Sequence, residues 1–258
     1  MGLVRWLFAN KKYPMNCRGK SPRDKRDFVA LHKPTERRIR DWRPWEGLVE
    51  NQGSTQSCVS QGIEAMLHPP INILRDVDYR QGLKLVNLDA MAHYKDVCDT
   101  FYQGNQSKGS FPRDGMRRLK DKGILEISPQ AGTVHKIKSY WRCNTLQEAE
   151  NALITSGPVV AALKVYPSFY WCKGTVTPPG KIEPCVGYHQ VCLVARIQKE
   201  EVWGFVIRNS WGWDWGDIGY AFVSDEILEK LVVEYWTCEY NCSMEDAVKL
   251  ADRWMNEN

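Results

Sequence analysis

Apolar and polar positions change period sharply between residues 51 and 70. Asn51 to Ser57 is a polar run with Gly53 at its bend. Val59, Ile63, Met66 and Leu67 then fall at i, i+4, i+7 and i+8, one stripe of a helix. Pro69-Pro70 is expected to end that helix. Residues 83–102 also read as helical, with Leu85, Leu88, Met91, Ala92 and Val97 toward a core. Gly109-Ser110-Phe111-Pro112 reads as a turn. Arg113 to Lys122 is expected to be a helix with Met116 and Leu119 inward and Gly123 past its C-terminus. Thr145-Leu146-Gln147-Glu148 is a capping box that opens a helix stopped by Gly157-Pro158. Beyond Pro158 the period shortens. Val159–Val165, Gln190–Ile197, Val202–Ile207 and Tyr220–Val223 are short apolar runs between turn signals, as strands are. Ser224 is expected to cap a helix through Glu234, and Ser243 a last one with Ala247, Ala251 and Trp254 on one face. Helices first and strands later define an α+β chain.

Composition narrows the class. The 258 residues suffice for one large domain or two lobes around a cleft, and 43% hydrophobic with 26% charged residues is ordinary for a globular protein. No apolar run approaches the roughly 20 residues that span a bilayer. Met1 to Phe8 has an apolar patch broken by Arg5 and lacks a small-residue cleavage site, so no signal peptide is expected. Trp6 stands where N-myristoylation needs Ser or Thr. Nine cysteines and no export signal favour reduced thiols and a cytoplasmic or virus-associated setting. Cys238 and Cys242 have no second such pair, so neither a metal site nor a cofactor is expected. Charge is uneven. Residues 1–40 hold twelve Lys and Arg against three Asp and Glu, a net +9 that leaves −5 on the rest of a chain totalling +4. Such an arm reads as a binder of nucleic acid or another anionic surface, as a segment docked on the acidic body, or as a solvated tail.

Cys58 falls at or just before the first turn of its helix, where unsatisfied N–H groups and the helix dipole favour a thiolate. Taken singly, a cysteine is more often a small buried hydrophobe. Its company points to chemistry. His189 stands at the entrance of a strand, and Asn209 follows another strand in Arg208-Asn209-Ser210-Trp211-Gly212. A cysteine nucleophile needs a base for its proton, and the base needs a third group to fix its tautomer. Asn does this without adding charge to a thiolate–imidazolium pair. Trp211 is placed to cover the Asn–His bond. Gln52, six residues before Cys58, offers a side-chain N–H to an oxyanion beside the Cys58 backbone N–H. His32, His68, His93 and His135 show no such pattern and read as surface or structural.

The segments Gln-Gly-x-x-x-Ser-Cys, Gly-Pro-Val-Val-Ala-Ala, Tyr-His-Gln-Val and Arg-Asn-Ser-Trp-Gly-x-x-Trp-Gly-x-x-Gly-Tyr resemble, in order, those of papain-like cysteine peptidases. The 131 residues from Cys58 to His189 fall within the family's spacing of about 130–150. The resemblance covers roughly residues 41–223. It implies a two-lobe fold, a helical lobe and an antiparallel β-barrel-like lobe with the cleft between them. It further implies Cys58 as nucleophile, His189 as acid and base, Asn209 as its orienter and Gln52 as oxyanion donor. Gly109-Ser110 would pair with the substrate backbone. Phe111, Pro112, Ala162 and Tyr188 would line the pocket for the second residue before the scissile bond, and Trp211 would border the leaving-group side.

The implied organisation is a basic arm (1–40), a peptidase domain (41–236; helical lobe about 50–150, β lobe about 151–223) and a C-terminal helical tail (237–258). The partner would be a peptide or protein substrate. The chain departs from the family pattern at Val59 for an aromatic residue, Gln56 for Gly and Thr55 for a partner cysteine, and Tyr188 is bulkier than the usual neighbour of the histidine. No long inhibitory prosegment is expected, and the short arm resembles that of prokaryotic- or viral-type members. Two alternatives stand beside a working peptidase: a papain-fold binding protein whose catalysis has decayed, and the same chemistry aimed at a cell-wall cross-link or a polyprotein junction.

Overall fold

The computed structural model describes residues 17–24, 28–29, 36–75, 85–127 and 132–257. His32 and part of the region read as helical at 83–102 lie outside them. Among the described residues, ten strands and seven α-helices follow in the order β1 (Phe28–Val29), β2 (Arg40–Asp41), α1 (Cys58–Leu74), α2 (Ala90–Phe101), α3 (Pro112–Asp121), β3 (Ile124–Leu125), β4 (Val134–His135), β5 (Ile137–Cys143), α4 (Leu146–Thr155), β6 (Val159–Val165), α5 (Pro167–Tyr170), β7 (Gly187–Lys199), β8 (Val202–Arg208), β9 (Tyr220–Ser224), α6 (Asp225–Leu231), β10 (Val232–Tyr240) and α7 (Met244–Glu257). This is the expected α+β papain-like architecture, with an open sheet in place of a closed barrel. The large sheet runs β1-β5-β10-β6-β7-β8-β9, antiparallel except for β1 on β5, with β2 added to β7.

Alternation along the strands gives the sheet two buried faces. Val159, Ala161, Leu163, Val191, Leu193, Phe205 and Ile207 join Ala149, Leu153, Leu228, Ala247 and Ala251 in one cluster. Val160, Ala162, Cys192, Val194 and Trp236 join Val59, Ile63, Met66, Met116 and Leu119 in the other. With both faces covered, the central strands read as continuous apolar runs. α7 packs as its small-residue stripe predicts, with Trp254 edge-on to Trp45 at 5.5 Å between centroids.

Four readings need correction. Pro69 and Pro70 do not end α1, which continues to Leu74. Pro70 has no N–H for the carbonyl of Met66, and the Tyr240 hydroxyl donates to that oxygen at 3.0 Å instead. Helix α2 starts at Ala90, with Asp89 accepting from Ala92 N, and it buries Ala90, His93, Tyr94, Val97 and Cys98, while Met91 is exposed. The helix capped by Ser224 stops at Leu231, and Glu234 belongs to β10. Residue 236 lies within β10, between β5 and β6. His189 lies within β7, as its third residue, and not before it.

Candidate active site

Cys58 is the first residue of α1, after Ser57, whose side chain makes no capping bond to the helix. The loop leading to it is tied to the segment carrying Asn209. Gln52 N–H donates to Ser210 O at 2.9 Å, Gly212 N–H to Glu50 O at 3.1 Å, and Ser210 Oγ to Gln52 Oε1 at 2.6 Å. Gly212 has φ +76°, and a Cβ there would stand 2.9 Å from the Asn51 side chain, so the crossing of these two loops requires glycine. Gln52 Nε2 also donates to Thr55 O at 2.9 Å, which curls the loop before the helix.

His189 pairs with Leu163 across β6 and β7. Its Nε2 is 2.7 Å from Asn209 Oδ1. The same oxygen accepts the Ser210 backbone N–H at 2.8 Å. A backbone N–H can only donate, so the atom facing the ring is the carboxamide oxygen, and Nε2 must carry the proton. Nδ1 is then the basic nitrogen, buried and without a hydrogen-bond partner among the described residues. Burial pushes the imidazole pKa down to about 4, against the opposing pull of the Asn209 bond. Trp211 lies over the ring at 4.5 Å between centroids and is itself packed on Phe169, Tyr170 and Trp215.

The two sides meet through neighbours of Cys58 and His189. Gln190 Nε2 donates to Val59 O at 2.9 Å, locking β7 onto the first turn of α1. Val59, where the family has an aromatic residue, is buried against α3: a Cβ on Gly115 would come within 2.6 Å of its Cγ1. Cys58 and His189 are both fully buried. None of the nine cysteines is in a disulfide.

Trp211 apart, the residues expected to bind substrate lie on two segments. Gly109 and Ser110 are buried ahead of α3, Pro112 opens that helix with Phe111 before it, and Ala162 and Tyr188 sit on paired strands β6 and β7. Two residues there escaped the sequence reading. Glu234 is buried on β10 opposite Ala162. Ser21 of the arm donates to it. Glu234 was hidden by the overlong helix assigned after Ser224, and Ser21 lies in an arm with no period. Burial raises the Glu234 pKa, and its bonds from Ser21 work against that. Of the histidines read as surface or structural, His93 meets Ser60 Oγ at 2.9 Å, His135 meets Glu126 at 2.9 Å, and His68 lies between Glu46 and Glu64.

A helix headed by a cysteine, packed on an antiparallel sheet that carries a bonded His–Asn pair, defines the class of papain-fold proteins. The sequence profile of papain family cysteine proteases matches residues 91–244, and the chain belongs to that family. Cys58 lies upstream of the matched segment. The chain is 26% identical over 200 residues to cysteine proteinase 3 of Entamoeba histolytica, covering 71% of this chain and 61% of that protein. It is 29% identical over 100 residues to a peptidase C1-like protein of Acanthamoeba polyphaga mimivirus, covering 35% and 30%. It thus spans less than two thirds of either relative. Among solved structures, xylellain, a cysteine protease from Xylella fastidiosa, superposes with a TM-score of 0.72 at 21% identity over 90% of this chain and 99% of that one. Procathepsin L 3 of Tenebrio molitor gives 0.65 at 17% identity over 92% and 86%.

Proposed function

We propose that the protein is a cysteine peptidase that hydrolyses peptide bonds through a thioester on Cys58. The observation that carries this reading is the double acceptance at Asn209 Oδ1, which leaves His189 Nδ1 as an unprotonated base in a buried site. In this reading Nδ1 takes the Cys58 proton, and the ring keeps its second proton on Asn209. The thiolate, favoured at a helix N-terminus, attacks the scissile carbonyl. The oxyanion is held by the Cys58 backbone N–H and Gln52 Nε2. The imidazolium protonates the leaving amine; water, deprotonated by the same nitrogen, then releases the acid. A thiolate beside the ring would raise the imidazole pKa from the value that burial alone imposes.

Cys58→Ala is expected to abolish hydrolysis of a peptide library and labelling by an epoxide-type thiol probe while leaving the thermal transition intact; unchanged hydrolysis would reject the assignment. The full burial of Cys58 favours a second reading, a papain-fold binder with decayed catalysis. Thiol titration separates the two, because a Cys58 titrating like an ordinary thiol, near about 8.5, belongs to the binder. The mimiviral relative supports a virus-associated setting. Among the described residues no helix is long and apolar enough to cross a membrane.

A further inference from the structure

A cavity of about 10 Å³, room for one water molecule, lies where the first turns of α1 meet β7 and the segment after β8. Gln61, Gln190 and Asn209 line it. All three are buried. Each has one side-chain atom that meets no partner among the described residues: Gln61 Oε1, Gln190 Oε1 and Asn209 Nδ2. The bonds these groups do make fix which atom is left over. Asn209 uses its oxygen on His189 and on Ser210 N–H. Gln190 Nε2 donates to Val59 O at 2.9 Å. Gln61 Nε2 is 3.5 Å from Ser57 Oγ, which lies 2.8 Å from Thr55 Oγ, and Thr55 Oγ donates to Gln52 O at 2.7 Å. The Thr55 proton is thus committed, so Ser57 donates to Thr55 and Gln61 donates to Ser57. Gly62 makes the room, since a Cβ there would stand 2.9 Å from Gln190 Nε2.

Two acceptor oxygens and one amide donor around a water-sized space match the bonding of a single water, which accepts from Asn209 Nδ2 and donates to both glutamine oxygens. A cation fits less well, because the amide N–H group and the Arg208 guanidinium on the same wall repel it. Arg208 is itself engaged elsewhere, by Glu46, Gly47 O and Leu48 O. Glu50, half-buried in the lining, gives the cavity a way to solvent. With a water there, the hydrogen bonds close a circuit. On one side Asn209 reaches Gln52 Oε1 through Ser210, and on the other it reaches Gln52 O through the water, Gln61, Ser57 and Thr55.

We propose that a bound water fills this cavity and that Gln61 and Gln190 act through it as positioning residues for Asn209. The proposal rests on the peptidase reading for what Asn209 serves, while the cavity and its three atoms do not. The water holds the carboxamide from its far side. Oδ1 then stays on His189, and the ring keeps its proton on Nε2. Without the glutamine acceptors, only Ser210 N–H opposes a half-turn of the carboxamide. That turn offers Nδ2 to the ring, drives the ring proton to Nδ1 and removes the base.

The test uses the full-length protein with Gln61→Met, which keeps the side chain's length and removes its acceptor, and with Gln190→Met as a second approach. The thermal transition reports folding of each. In isotopically labelled wild type, nuclear magnetic resonance should show magnetisation passing from the Asn209 amide protons to a long-lived water. The ring nitrogen shifts of His189 should show the Nε2-protonated tautomer alone. Gln61→Met should lose the water contact and show both tautomers. In peptide hydrolysis it should lower kcat roughly three- to tenfold, the worth of one neutral hydrogen bond, with KM unchanged. In an Asn209→Ala background it should lower kcat no further. No water contact at Asn209 in the wild type, or a single tautomer and unchanged kcat in both variants, would overturn the proposal. So would a loss of kcat that persists in full without Asn209, because that marks a structural defect alone. A protein that hydrolyses no peptide, yet shows the water contact and the tautomer change, would uphold the water and its two holders and reject the peptidase reading instead.

Discussion

At position 209 one carboxamide oxygen faces two donors, and that arrangement selects the tautomer of the ring beside it. Asn209→Ala removes the selection. It is expected to lower kcat/KM by up to about a hundredfold, part of the ~10²–10⁴ that a positioned acid or base contributes, measured as peptide hydrolysis across pH. Trp211 acts on the same ring by excluding water. Its indole stacks on the imidazole, whose pKa burial has pushed down to about 4. Trp211→Ala admits water, so the ring's pKa rises toward its ordinary value of about 6.5. The acid limb of the activity profile should move to higher pH, because less of the base is neutral at a given acidity. A limb unmoved by the substitution would mean that Trp211 does not shield the ring.

Among the elements, α1 depends on a strand far from it in sequence. Its proline pair removes backbone donors in mid-helix, and Tyr240 at the end of β10 replaces one of them at Met66 O. Tyr240→Phe keeps the ring and deletes the bond, leaving a buried carbonyl without this donor. A cost of about 1–3 kcal/mol is expected, read as a lower midpoint in denaturant unfolding with an unchanged slope. β10 was also the element least legible in the chain. Val232 to Tyr240 continues directly from α6, and its Glu234 and Glu239 break the apolar run that marks a central strand. Cross-strand register with β6 and β5 overrode that local pattern, as tertiary pairing often does. Two helices were legible at the ends that their caps mark. Thr145 accepts from Glu148 N, and Gly123 closes α3 with φ +85°.

For the whole molecule, buried ionisable groups set how stability follows pH. Burial pushes both His189 and His93 down to about 4. Between about 4 and the unfolded value near 6.5 the unfolded chain binds more protons than the native one, so stability falls as the solution is acidified through that window. The cost is on the order of 3 kcal/mol per histidine at the acid end. Glu64 works in the opposite sense. Burial raises it to about 8, so the native state holds a proton that the unfolded chain has released above about 4.5, and stability falls as pH rises toward 8. The buried histidines, His68 among them, outweigh the raised carboxyls of Glu64 and Glu234 below about pH 6.5, and above it Glu64 sets the slope. Chemical denaturation across pH should therefore give a maximum near pH 6.5. Glu64→Gln should flatten its alkaline side, and stability that keeps rising between pH 6.5 and 8 would contradict the assignment.

The order of periods along the chain, with its caps and turn residues, was enough to determine an α+β fold, the helix headed by Cys58 and strands placing His189 and Asn209, because those signals are local. The chain by itself did not reveal Glu234 beneath Ala162, the Tyr240 bond to α1, or the cavity that Gln61, Gln190 and Asn209 share. Each joins positions far apart in sequence through backbone carbonyls, side-chain amides or a buried carboxylate, groups whose partners are chosen by how sheet and helices close on one another and leave no period in the residues themselves.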